Sequence, residues 1–540
     1  MSLLSISMAV GFTLAWVCGH RGFFGFDQSI LFDGGYRVFQ GQIPYADFYI
    51  PTGPLSFWLQ GIFFRILGVN YSATVALAAV LNAVGALLSF RLLMIITSGR
   101  RFAAFLGAVL TSVWLFPPFG TPWFEPIGHF FILLMVYLLV KAIYSYWDAP
   151  SYADLRNLPI ITFAAGITAI CALLTKQTVG IEAFLIAGLL WIGPPRRPGL
   201  RNLGAYPLDA FLLGIVSAAI VFGLWLFIFS DPGAFWHYTV DLPVGVGSGR
   251  LNLAIVKYKM SRLILFTPAL WIVHILAGGV ALIGIFRSVK DGLSAKRAAL
   301  AAQLAVALAL VTYLEMMIAA NHGAIAAAFI GISWSLGLSL VCRFHHDEPG
   351  LGRVRPRRNH SVIIVIAPVL WILAAWVGLK IGWSRDVQDP VAGARLRPPL
   401  ELAGLSGLRW QETVPGPGVV SEEDFVQLVQ WLRDNPKPFF VWADYTILYG
   451  LCDVPSPQPV LWFHWDLTYP RGGDEALESR ILRDLARNNV ERIVYEAESW
   501  HGTEERLEDF PKLRRMMQAQ FVEVHRIGPF RILERPAPLP

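Results

Sequence analysis

The chain has 540 residues, of which 55% are hydrophobic and 15% charged, with a net charge of +6. An average soluble domain carries about 25% charged residues, so this composition excludes a wholly soluble protein and puts the bulk of the chain in lipid. The positive balance belongs to membrane topology and lipid headgroups, not to nucleic acid, and the four scattered cysteines form no disulfide framework or metal cluster.

A hydrocarbon core about 30 Å thick needs about 20 apolar residues per helix, and the sequence up to residue 383 supplies such runs repeatedly. The first, 2–19, lacks a basic leader and closes on Val17-Cys-Gly19, a poor cleavage site, so it reads as a short retained span. Further candidate spans are 72–98, 102–116, 125–147, 158–175, 178–193, 207–229, 263–286, 298–319, 324–342 and 361–382, for about eleven in all. With Met1 inside, Arg100, Arg101, Arg196, Arg197, Lys296, Arg297, Arg357 and Arg358 all fall on the cytoplasmic side, as the positive-inside rule requires. An odd span count then puts the chain beyond about 384 outside, which in a bacterium is the periplasmic side of the inner membrane.

Two long loops interrupt the spans. The first, residues 20–71, holds two stretches, 30–39 and 55–67, amphipathic enough to lie as helices in the interface. The second, 231–262, mixes Trp236, His237 and Tyr238 with Arg250, Lys257, Lys259 and Arg262. Structured loops of this length are usually functional.

After the last span, 384–420 is rich in Pro and Gly and reads as a linker. Ser421-Glu-Glu-Asp424 then opens a helix with a capping-box pattern, followed by a strand at 438–443, a helix at 474–488 and a strand at 490–496. A third helix at 504–519 and a strand pair at 521–534 complete the pattern. The expected plan is a polytopic α-helical membrane domain over 1–383, a linker, and an external α/β domain over 421–540.

The first loop reads Gly25-Phe-Asp27-Gln-Ser-Ile-Leu-Phe-Asp33, then Gly41-Gln-Ile-Pro44-Tyr45-Ala-Asp47-Phe48 and Gly53-Pro54-Leu55. On residues alone, Asp27 is a cap for a helix beginning near Gln28, and Asp47 belongs to a turn. Glu125, at the start of the fourth span, suits the helix dipole; His129 lies one turn further along the same face. Lys176, at the turn between the fifth and sixth spans, can snorkel to the interface. Glu182 and Glu315 lie in apolar spans, where an ionisable side chain is costly and a functional candidate by default.

An acid after the first span, a helix, then Gly-x-x-Pro-Tyr-x-Asp-Phe and Gly-Pro-Leu resembles the lipid-dependent glycosyltransferases of the GT-C fold. The branch includes protein mannosyltransferases and the aminoarabinose transferase of lipid A. The resemblance is strongest over residues 1–200. It implies transfer of a sugar from a polyprenyl-phosphate donor to a lipid, glycan or protein acceptor at the external membrane face, with inversion. By the same resemblance Asp27 is the catalytic base, with Asp33 the alternative base, and Glu125 joins the active site to orient the reacting groups. Lys176 would neutralise the lipid phosphate, and Arg250, Lys257, Lys259 and Arg262 offer further phosphate contacts. His129 is a weaker binding candidate. No cofactor is called for: the acids and histidines lack metal-site spacing, and a monophosphate leaving group needs less neutralisation than a diphosphate. The competing function is a transporter or lipid flippase, which would carry inverted repeats that the sequence does not display.

Overall fold

A computed structural model describes residues 2–244 apart from 24, 98, 149–155 and 192–205, isolated positions from 300 to 332, and 360–536 apart from 385–395, 412–419, 443 and 498–501. The expected spans at 263–286, 298–319 and 324–342 lie outside the described residues, apart from those isolated positions. The described chain forms two compact units, one from 2–19, 78–221 and the helix His360–Ser384, the other from 20–77, 222–244 and 396–536.

The first unit is a helical bundle. Its elements are α1 (Leu3–Gly19), most of α4 (Tyr71–Ile96), α5 (Arg101–Trp114), α6 (Phe124–Asp148), α7 (Leu158–Leu173), α8 (Gln177–Trp191), the first part of α9 (Tyr206–Phe229) and α11 (His360–Ser384). Among the described residues three helices are long and apolar enough to cross a membrane, at Tyr71–Ile96, Phe124–Tyr146 and Pro207–Phe229; several others are apolar but shorter. Small residues and amides set the crossings. Asn82 on α4 donates to Gly11 O on α1 at 2.8 Å and to Ser112 O on α5 at 2.9 Å, tying three helices where no water competes.

The second unit is built on a four-stranded sheet of order β3 (Phe439–Trp442), β4 (Arg492–Glu496), β6 (Phe530–Glu534) and β5 (Val522–Ile527). Strands β3 and β4 are parallel and the other two pairs antiparallel. Successive side chains alternate between faces. Phe439, Val441, Val494 and Ile532 enter a core with α12 (Glu422–Asp434). Phe440, Trp442, Ile493, Tyr495 and Leu533 enter another with α14 (Glu475–Arg487), α15 (Thr503–Glu508) and α16 (Pro511–Gln520). Helix α12 starts as expected: Ser421 Oγ accepts from Asp424 N at 3.0 Å. The expected single helix at 504–519 is two, because Pro511 opens α16 and leaves Phe510 outside the helical region, at φ −123° and ψ 68°.

The first core has a third contributor from far away in sequence. Helix α2 (Gly25–Phe39) places Phe32 and Tyr36 in it, and α3 (Leu55–Leu67) adds Phe64. Residues 27–37 of α2 are buried on every side, so α2 does not lie on a membrane surface as a half-exposed amphipathic helix. Helix α3 leaves Ile62 and Ile66 exposed one turn apart. The segment 396–411 carries a small antiparallel pair, β1 (Leu396–Pro399) and β2 (Arg409–Gln411), and buries Leu405, Leu408 and Trp410 in the same core. Beyond α9, Asp231 caps the short α10 (Pro232–Trp236) by accepting from Gly233 N and Ala234 N. Tyr238, just after α10, stacks on Tyr49 of the first loop at 4.4 Å.

Candidate functional site

Within the helical unit, α6 and α8 approach closely because α6 has Gly128 at the crossing. A Cβ there would sit 2.6 Å from Val179 Cγ1 and 2.7 Å from Thr175 Oγ1. This approach sets two polar rungs between the helices. In the outer one Lys176 Nζ donates to Glu125 Oε1, Glu125 being nearly buried and Lys176 about one-fifth exposed. In the inner one His129 Nε2 lies 3.6 Å from Glu182 Oε2, both side chains buried, and the His129 ring meets Phe329 at 5.2 Å. Glu125, His129 and Lys176 are thus brought together, and Glu182, which matches no motif, joins them. The signal for it is the one any acid within an apolar span carries: burial there demands a partner.

The second unit holds the first-loop acids. Asp27 lies in the first turn of α2, two residues inside a helix that begins at Gly25, and is 6% exposed. It therefore does not cap a helix starting near Gln28. Gly25, the first residue of α2, lies directly against the Tyr445 ring, which a Cβ there would run into. A carboxylate in a first turn is stabilised by the helix dipole.

Asp33 is held differently. Its Oδ2 accepts from Arg37 Nε at 3.0 Å, one turn along α2, and both side chains are fully buried. Burial pushes its carboxyl up to about 6, against the lowering influence of Arg37. Its Oδ1 has no hydrogen-bond partner among the described residues. Asp47 closes the turn that the sequence indicated: its Oδ2 accepts from Ile43 N at 2.7 Å, and Tyr45 takes a left-handed φ of 66°.

Arg250, Lys257, Lys259 and Arg262 lie outside the described residues. Among the described residues no three His, Cys, Asp or Glu side chains converge where a metal ion would sit.

No protein-family model matches the chain, and no curated protein matches it. Solved structures do. The apo oligosaccharyltransferase of Archaeoglobus fulgidus superposes with a TM-score of 0.50 at 11% identity, over 92% of this chain and 69% of that one. This chain has the GT-C fold. Two further structures score slightly lower. The same archaeon's AglB in complex with an inhibitory peptide and a dolichol-phosphate scores 0.48 at 12% identity, over 100% of this chain and 74% of that one. ArnT from Cupriavidus metallidurans bound to undecaprenyl phosphate scores 0.47 at 11% identity, over 99% and 98%.

Proposed function

We propose that the protein is a membrane glycosyltransferase that moves a sugar from a polyprenyl-phosphate carrier to an acceptor at the external face, with inversion. The observation that carries this reading is Asp27, a buried acid in the first turn of α2 just after the first apolar helix. It belongs to the loop whose Pro44-Tyr45-Ala-Asp47-Phe48 turn matches the lipid-dependent GT-C transferases, and the chain shares the fold of an oligosaccharyltransferase.

A sugar hydroxyl is a poor nucleophile, and Asp27 accepts its proton as it attacks the anomeric carbon. Lys176 meets the departing phosphate, and Glu125 holds the ammonium in place until the lipid arrives. Asp33, whose Oδ2 pairs with Arg37, is the alternative base. Arg250, Lys257, Lys259 and Arg262 supply further phosphate contacts. We infer about eleven spans, with the active face outside.

Asp27→Asn tests the reading. The amide keeps the shape but cannot take a proton. A general base contributes about a hundredfold to ten-thousandfold, on the order of 3 to 5 kcal/mol, so transfer should fall by that factor while lipid-donor binding persists. Purified protein would be assayed against polyprenyl-phosphate-linked hexoses and pentoses. Unchanged turnover in Asp27→Asn with loss in Asp33→Asn would move the base to Asp33, and unchanged turnover in both would remove the first loop from the chemistry.

A further inference from the structure

Helix α2 is accompanied along its whole length by one stretch of the C-terminal chain, residues 445–458, which includes the short α13 (Ile447–Leu451). At the start of α2, Gly25 lies against Tyr445. Midway, Gly450 abuts Phe32 and Tyr36, where a Cβ would sit 2.7 Å from Phe32 Cε1 and 3.1 Å from Tyr36 Cγ. One turn on, Tyr36 Oη donates to Asp453 Oδ1 at 3.2 Å. At the end, Arg37 Nη1 donates to Gln458 O at 2.6 Å, Arg37 Nη2 to Ser456 Oγ, and Gln42 Nε2 to Ser456 O at 3.2 Å. Later residues of the stretch meet later residues of the helix throughout, so the two run side by side in register.

The stretch is itself fastened to the sheet. Val441 N of β3 donates to Tyr449 Oη at 2.7 Å, Tyr449 Oη donates to Gln458 Oε1 at 2.6 Å, and Gln458 Nε2 donates to Val460 O at 2.9 Å. A continuous path of hydrogen bonds therefore leads from the edge strand β3 to Arg37. Arg37 uses all three nitrogens of its fork: Nε goes to Asp33 while Nη1 and Nη2 go to the C-terminal chain. A guanidinium this deeply buried costs several kcal/mol to desolvate, so it is retained only where most of its donors are used.

We propose that residues 445–458 are a strap that sets the position of α2, with Arg37 as the positioning residue through which the C-terminal chain holds Asp27 in place. The proposal rests on Asp27 acting as the base. Arg37 lies ten residues beyond Asp27, about 15 Å along a rigid helix, and touches no reacting group. Its effect is geometric: a misplacement of about 1 Å at a reacting centre costs about a hundredfold in rate.

Full-length protein in lipid nanodiscs and two variants test this. Ser456→Ala removes one acceptor and spares the Asp33–Arg37 pair. Arg37→Lys keeps the charge but cannot reach Asp33, Gln458 and Ser456 together. Deuterium exchange at the α2 amides should quicken at least about tenfold in Arg37→Lys and less in Ser456→Ala, with α6 and α8 unchanged. Transfer from the lipid-linked sugar that the wild type uses, normalised to donor-binding protein, should fall in the same order, by about tenfold to a hundredfold, at constant donor KM. Wild-type exchange in both variants overturns the strap, and where Asp27→Asn is inactive, faster α2 exchange with full turnover overturns the positioning of Asp27 by Arg37. If Asp27→Asn remains active the functional reading falls, and the exchange rates still decide whether 445–458 positions α2.

Discussion

Glu496 ends β4 and is 1% exposed, beside Asp444, which follows β3 at 3%. Arg506 donates to Asp444 Oδ1 at 3.0 Å. Burial, and next the charge of Asp444, hold the Glu496 carboxyl well above its ordinary value of 4.5. A folded-state value raised this way favours the fold most at low pH and loses that contribution as pH rises through the raised value. Protection of the β3 and β4 amides, corrected for intrinsic exchange, should therefore decline with rising pH in the intact protein. Glu496→Gln should flatten that slope and stabilise the sheet at pH 8 by about 1 to 3 kcal/mol, the usual cost of a buried polar group left unsatisfied. Equal slopes in variant and wild type would show that Glu496 holds no extra proton.

Helices α7 and α9 cross at two glycines. A Cβ on Gly166 would sit 2.9 Å from Ile215 N and would run into Phe211 O, while one on Gly214 would run into Phe163 O. All three obstacles are backbone atoms, which cannot rotate aside. Small residues at such crossings let helices gain van der Waals contact where lipid supplies no hydrophobic drive. Gly166→Ala should destabilise the bundle by about 1 to 3 kcal/mol, measured by thermal denaturation in detergent. Ile160, 68% exposed on α7, serves as control. Its replacement by alanine should leave the midpoint nearly unchanged; since alanine favours a helix over glycine, a midpoint that holds or rises in Gly166→Ala would show that the crossing does not need the glycine.

For the whole molecule, topology is the most direct test. A cysteine replacing Gln518, exposed on α16, should react with an impermeant reagent from outside, and one replacing Ser294 only after permeabilisation. The reverse pattern would invert the chain and place Asp27 on the cytoplasmic side. The sequence alone was enough for the apolar runs, since a stretch of about 20 apolar residues has one stable home. It also located the capped α12, the strands after residue 421 and the Pro44–Phe48 turn, because caps, alternation and turn chemistry act over a few residues, but it missed α13 and merged α15 with α16. Through the first-loop motif it pointed to the GT-C fold that the structural comparison bears out. Only the tertiary structure could decide the rest. That α2 adds Phe32 and Tyr36 to a core shared with the C-terminal sheet, that Arg37 reaches Gln458, and that Glu182 lies 3.6 Å from His129 all depend on contacts between residues distant in sequence. Such pairings leave no local periodicity or composition signal: they are fixed by which buried polar groups can satisfy one another once the hydrophobic cores have closed.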